Sequence, residues 1–380
     1  VNEGYCLEFR SEHLLVNHIP YLAADGAVTY GTLASKLTVS GDRTGPPADH
    51  VAYFIGGYPC DEGGAPIAKL NTSRSRVQLA GDLWVDGTFS SKPYPSGRYD
   101  DYYDKMTTYV GIVSGPAQKV VPEATARTFA PIVMPEDEGV FCYFDSASSR
   151  AGTSAINGKL EQDRIAIVGL GGSGSYVLDL LAKAPAREIH IFDGDTFFNH
   201  NAFRSPGAPS VEELRESPTK VEYLRQVYSK MRRGIVAHHC FIDGTNVDDL
   251  RGMNFVFLCM DSGTAKRDVV LKLREWGIPF VDVGIGLELV NGALTGQVRV
   301  TTCPPGRGDQ IFEKKRIPFA EVVAENDYAS NIQIADMNAL SACLAVIKWK
   351  KLRGFYHDLE SENFCVYVVT GNCIQNEDQE

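Results

Sequence analysis

No apolar run in this 380-residue chain approaches the roughly 20 residues of a membrane-spanning helix, so no membrane partner is expected. No basic segment followed by an apolar stretch opens the sequence, so no secretory signal is visible and a cytoplasmic location is expected. A basic patch is missing as well. The net charge of −11 divides almost evenly, −6 over residues 1–155 and −5 beyond, which argues against a nucleic-acid footprint. Nine cysteines are scattered from Cys6 to Cys373, and no two are two or three residues apart. That spacing excludes a zinc ribbon and argues against a disulfide framework, leaving free thiols in a reducing compartment. There is no internal repeat.

What is present divides into two regimes. The 44% hydrophobic content supplies a sizeable core. Residues 1–145 are rich in Gly, Pro, Tyr and Ser, with β-type runs at 51–55, 77–79 and 109–113 separated by turn signals. An amphipathic stretch from Ser11 to Leu22 reads as a helix. The expectation is a β-rich α+β domain that recruits a partner. Its tyrosine-dense segment, Phe89 to Met106, is either a contact surface or a set of half-buried rings, and burial tendencies favour the latter.

Residues 146–380 alternate strands and helices, the pattern of a doubly wound, mainly parallel α/β sheet. Ser217 and Pro218 read as the N-cap and first residue of a helix carrying Val221, Leu224, Val227, Tyr228 and Met231. Strands are expected at 235–239, 254–260 and 279–283, with a helix at 264–276 and further β-type runs at 287–301. Residues 303–327 read as an exposed loop. A helix over 332–353 sets Ile334, Met337, Leu340, Leu344 and Ile347 in one stripe, and 364–370 is expected to close the sheet as an edge strand. Cys259 and Cys343 lie on apolar faces and are expected in the core.

The organising stretch is 164–205. The apolar run Ile165–Val168 leads into Gly169, Gly171, Gly172 and Gly174, then a helical pattern, then a second apolar run ending at Asp193. Strand, glycine turn, helix, strand and acid together signal a βαβ nucleotide site: backbone amides approach phosphate, and the helix N-terminus favours its charge. On its own the GxGxxG pattern suits a dinucleotide-dependent oxidoreductase equally well. The residues beyond Asp193 favour nucleoside triphosphate chemistry. Asp195, Asn201 and Arg204 follow it, Lys220 opens the next helix, and Asp261 ends a buried strand. Arg204 and Lys220 suit phosphate neutralisation, Asp193 suits ribose hydroxyls, and Asp261 suits Mg²⁺ bound largely through phosphate and water.

The order GxGGxGS, DxDxxxxxNxxR, a helix-borne Lys and a strand ending in Asp resembles the ThiF/MoeB/ubiquitin-activating-enzyme superfamily over about 160–350. The resemblance implies adenylation of the C-terminal carboxylate of a β-grasp, ubiquitin-like protein, with ATP and Mg²⁺. It places Gly169, Gly171, Gly172 and Gly174 in the ATP loop, with Asp193 as the ribose acid and Asp195 as its companion. Asn201 and Arg204 face phosphate, Lys220 is the family's lysine and Asp261 its metal-associated aspartate. It also implies a homodimer and, less directly, a bacterial ubiquitination-like pathway with a conjugating-enzyme-like partner. The family's upstream arginine has one candidate here, Arg150, although the usual surrounding motif is absent. Arg204 and Lys220 are further apart than the family's habit, Ser205 replaces a common Gln, and zinc-binding CxxC pairs are missing. For thioester transfer the candidate is Cys303, near Arg299, Arg307, Lys314 and Lys315, against the alternatives of a bystander thiol or an oxyester on a hydroxyl. Other readings are activation of a sulfur-carrier protein in cofactor biosynthesis, an NAD-binding oxidoreductase, and an inactive binding member.

Overall fold

The computed structural model describes residues 1–40, 43–70, 73–81, 83–134, 139–151, 153–261, 263–319 and 332–378. Two compact units result, Val1–Val133 with Phe144–Arg150, and Met134–Tyr143 with Ala151–Glu380.

The first unit is built on strands β1 (Cys6–Arg10), β2 (His13–Leu22), β3 (Val28–Lys36), β6 (Val51–Ile55) and β9 (Gly87–Ser90), antiparallel in the order β1-β2-β3-β6-β9. Two short ribbons, β4 (Val39–Ser40) with β5 (Arg43–Thr44) and β7 (Val77–Ala80) with β8 (Leu83–Val85), accompany it. Helix α1 (Tyr102–Val120) covers one face. Two sequence expectations are corrected here. The stretch read as a helix from Ser11 is β2, because both its faces are buried: Leu14 and Val16 join one cluster and Leu15 another, so period-two alternation is erased. The run at 109–113 is helical, started by the Asp101 carboxylate accepting from the Asp104 N–H at 2.7 Å. Its buried Tyr102, Met106, Tyr109, Val110 and Val113 recur at helical spacing. The tyrosines divide by role. Tyr99 donates to Ser91 O at 2.9 Å, Tyr102 donates to Lys36 O at 2.7 Å, and Tyr109 Oη accepts from the Ser91 N–H at 2.7 Å, whereas Tyr94 is 97% exposed.

The second unit is an eight-stranded mixed sheet, β12-β11-β10-β13-β14-β15-β16-β17. These strands are β10 (Arg164–Val168), β11 (Glu188–Phe192), β12 (Ile235–His238), β13 (Phe255–Leu258), β14 (Phe280–Val290), β15 (Ala293–Cys303), β16 (Phe364–Val368) and β17 (Cys373–Glu377). From β12 through β14 the pairs are parallel; beyond β14 they are antiparallel. Ile165 and Ile167 of β10 pack on one face with α2 (Gly172–Ala182), α3 (Lys220–Ser229) and α5 (Ala335–Leu352). Ala166 and Val168 pack on the other with α4 (Thr264–Glu275). This is a Rossmann-like doubly wound architecture, and the strand order reverses between β10 and β13, where ligand crevices form. Arg232, fully buried, donates to the carbonyls of Leu181 in the last turn of α2 and of Ala184 and Ala186 beyond it, and burial lowers its guanidinium to about 10.

Other boundaries shift. Thr219, not Ser217, caps α3: its Oγ1 accepts from the Glu222 N–H, and Ser217 sits at φ +48°. The stripe expected on α5 is rotated, with Met337, Asn338, Ser341, Ala342, Ala345 and Trp349 buried and Ile347 exposed. Cys343 on this helix is exposed rather than in the core. The segment after Cys303 is not simply an exposed loop. It holds a short helix, Asp309–Glu313, and buries Ile311 and Ile317, while residues 320–331 lie outside the described part. The last described strand is β17, so β16 is not the edge. All nine cysteines are free thiols, and no described helix is long and apolar enough to cross a membrane.

Candidate nucleotide site

The ends of β10, β11 and β13 bring the predicted residues to one edge of the sheet. Gly169 turns the chain at φ +91°, and a Cβ there would lie 2.7 Å from Cys259 O, just past β13. At Gly174 a Cβ would lie 1.9 Å from Gly169 O, so the helix can fold back on the turn only without a side chain. At Gly172 a Cβ would lie 2.0 Å from Asn338 Nδ2 of α5. Gly171 differs: a Cβ would meet nothing within 4 Å, so its surface is open to a ligand. It is also the N-cap of α2 and supplies no side chain to the free amides of the first turn.

Asp193, just after β11, is 5% exposed and occupied by the protein itself. Its Oδ2 accepts from the Leu170 N–H at 2.6 Å and its Oδ1 from the Asp195 N–H at 2.9 Å. It therefore ties the glycine turn to the end of β11. Lys220, also buried, reaches Asp195 Oδ2 at 2.6 Å and lies 3.5 Å from Asp193 Oδ1. The Lys220 N–H donates to Asp195 O at 2.9 Å, which pins the start of α3 to the loop after β11. Asp195 is half exposed, so this ion triad opens to solvent on one side.

Asn201 and Arg204 come from the one-turn helix Asn199–Ala202 and the residues after it. Asn201 is buried, and its Oδ1 accepts from the Phe198 N–H at 2.8 Å. Arg204 Nε is buried without a hydrogen-bond partner among the described residues. His200 stands near these charges. Burial and the cations Arg204 and Lys220 hold its imidazole below its ordinary value, with Asp195 opposing. Asp261 is exposed at the C-terminal end of β13, two residues beyond the Cys259 backbone that touches Gly169. Beneath it, Lys266 of α4 and Arg299 of β15 pair with fully buried Asp282 at 2.8 and 2.7 Å.

One expected residue falls outside the described side chains, and another does not join this group. Arg150 lies in the short helix Ser146–Ala151, and its side chain lies outside the described part. Cys303 is a correction. It pairs with Phe280 at the N-terminal end of β14, the sheet edge opposite the glycine turn. It is 2% exposed, its Sγ donates to Arg307 O at 3.0 Å, and burial pushes its thiol up to about 12. Two of the four cations expected to activate it are engaged elsewhere, Arg299 with Asp282 and Lys314 with Asp378. A protonated, enclosed thiol is not a nucleophile at neutral pH. Asn338 was missed altogether, since a single polar residue in an apolar helical stripe gives no signal of what faces it.

A doubly wound sheet with an uncapped glycine turn at its switch point and cations on the adjoining loops defines a nucleotide-phosphate-binding protein. The ThiF family model matches residues 149–360, and the chain belongs to that family. Residues 1–146 match a domain of unknown function, DUF6791. Among characterised proteins, the chain is 28% identical over 141 residues to the adenylyltransferase and sulfurtransferase UBA4 of Saccharomyces cerevisiae (strain YJM789), spanning 36% of this chain and 29% of that one. Among solved structures, it is similar to Escherichia coli MccB with succinimide, at 16% identity and a TM-score of 0.48, covering 62% of this chain and 72% of that one. PaaA matches at 17% identity and a TM-score of 0.45, covering 61% and 78%.

Proposed function

We propose that this chain is an ATP-dependent adenylyltransferase that activates the C-terminal carboxylate of a ubiquitin-like protein. The observation that carries this reading is the meeting of an uncapped, glycine-opened helix N-terminus with buried Lys220 and the unpartnered Nε of Arg204. A dinucleotide-dependent hydride transfer has no use for that cation pair. In the proposed reaction the partner's carboxylate oxygen attacks the α-phosphorus of ATP, and the bond to pyrophosphate breaks. Gly171, with the amides of the first turn of α2, holds phosphate. Arg204 and Lys220 balance the charge that builds on the phosphoryl oxygens, and Asp195 and Asp193 orient Lys220.

Among the described residues no group of three or more His, Cys, Asp or Glu could hold a metal. Asp261, an exposed carboxylate at the end of β13, is the residue that would hold Mg²⁺ together with phosphate and water, and the ion would polarise the phosphoryl oxygens. In this reading Asp193 acts chiefly as the anchor of the glycine turn, Asn201 shapes the loop that delivers Arg204, and Arg150 serves the site from its own or a second copy. The chain works as a cytoplasmic homodimer, and residues 1–145 form a recruiting domain for a conjugating-enzyme-like partner in a bacterial ubiquitination-like pathway. The acyl group leaves by an oxyester or by direct transfer, because Cys303 is enclosed.

Activation of a sulfur-carrier protein is the second reading, favoured by the name of the yeast relative. ATP–pyrophosphate exchange, measured with a ubiquitin-like protein and with a sulfur-carrier protein, tests both. Exchange with the first supports the main reading, and exchange with the second alone overturns it in favour of the alternative. NAD(H) binding without ATP binding would sink both. Asp261→Ala is expected to abolish exchange, and unchanged exchange would remove Asp261 from the mechanism.

A further inference from the structure

We infer that Asn338, carried by α5, is part of the phosphate-binding turn and donates through Nδ2 to a phosphate held there; this rests on the ATP reading above. Asn338 is 1% exposed, yet its Nδ2 has no hydrogen-bond partner among the described residues. A buried amide left this way carries a desolvation penalty that folded proteins seldom tolerate without a role.

Two hydroxyls engage the other end of the amide. Ser341 donates to Ser173 Oγ at 2.8 Å, and Ser173 donates to Asn338 Oδ1 at 3.2 Å. In this arrangement Oδ1 is the acceptor and Nδ2 stands as a donor. The amide lies against Gly172, the first residue of α2, where a Cβ would stand 2.0 Å from Nδ2. The absent side chain at Gly172 thus admits the amide of α5 to the first turn of α2. Gly171 gives that turn no side-chain cap, so the helix-terminal amides and an Nδ2 without a partner among the described residues stand in one place. A phosphate seated on these amides brings the oxygens that all of them lack. Ser173 and Ser341 are positioning residues for the amide.

The test is calorimetric titration of the full chain with ATP and, separately, with adenosine, alongside thermal unfolding of the ligand-free protein. Asn338→Leu keeps the shape and removes the donor without adding charge. Expected is a roughly 10- to 100-fold weaker Kd for ATP, an adenosine Kd within about twofold of the parent's, and little change in Tm. Asn338→Asp places a carboxylate in the same volume. It is expected to weaken ATP further while keeping or raising Tm, since an anion suits a helix N-terminus. ATP affinity unchanged in Asn338→Leu would overturn the inference, as would equal losses for ATP and adenosine accompanied by a lower Tm. Should Asn338→Leu not fold, Asn338→Ala takes its place with the same two outcomes. A parent chain that binds adenosine but not ATP would instead remove the ATP reading, and this inference with it.

Discussion

Individual side chains at the sheet edge divide into those that hold the turn and those with a polar atom left without a partner among the described residues. Asp193 takes backbone N–H groups on both oxygens, whereas Arg204 keeps an unpartnered Nε. Lys220→Met should therefore have two effects. Exchange is expected to fall at least ~100-fold through lost phosphate stabilisation. Stability is expected to fall by about 3 kcal/mol in urea titrations, because Asp193 is left buried without its cation. For the thiols, iodoacetamide at pH 7.5 is expected to label the exposed Cys343 and Cys373 and to leave Cys303 and Cys60 unmodified, as peptide mapping would report. Cys303→Ala should retain exchange activity and any covalent adduct. Loss of an adduct in that variant would restore Cys303 as nucleophile. Most of the site's residue types were legible from order and spacing, because a βαβ unit forces strand ends and their loops to one edge. Cys303 was misjudged because its neighbours in sequence, Arg299 and Lys314, point to acids that only the folded chain brings near.

At the level of elements, close approach decides where glycine is required. Gly174→Ala drives a methyl into Gly169 O, and an expected cost of about 1–3 kcal/mol should appear in chemical denaturation. Gly171→Ala, with open space, should leave stability almost unchanged and weaken ATP binding instead. The β11–β12 pair supplies a pH dependence. His238 of β12 is held below its ordinary value by burial and by His190 of β11, whose Nδ1 lies 3.0 Å from its Nε2. A lowered folded-state value means the unfolded chain takes up the proton first. Stability should be full above about pH 6.5 and fall as the pH drops toward the lowered value. His238→Gln is expected to flatten that decline between pH 7.5 and 5.5 in urea midpoints, and an unaltered slope would clear His238. Period-two and period-3.6 patterns identified β10, β11, β13 and α4. They misjudged β2 and α1, where burial on both faces of a strand and tyrosines on a helix disguise the period.

Across the whole molecule, each unit has its own core. The first gathers β-sheet side chains around Tyr109 and Met106; the second centres on Trp349, whose Nε1 donates to Asp163 Oδ2 at 2.8 Å while Arg353 reaches the same oxygen at 2.6 Å. Trp349→Ala is expected to destabilise the second unit by about 3–5 kcal/mol, read from denaturant titration. Hydrogen exchange should show the loss in β10 and α2 amides while those of β2 and β3 keep their protection. Loss of protection in both sets would show that the two cores unfold together.

By itself the sequence determined the doubly wound βαβ core and which glycines, acids and cations gather at its glycine-turn edge, since glycine at a tight turn, acid after a strand and cation on the next loop follow from local geometry. The tertiary structure decided which of those groups are free. Asp193 is consumed by backbone amides, the Nε of Arg204 has no partner among the described residues, Cys303 is sealed at the opposite edge, and Asn338 arrives from a helix some 165 residues away to lie against Gly172. Hydrogen-bond occupancy and burial depend on contacts between distant segments, and no spacing along the chain encodes them.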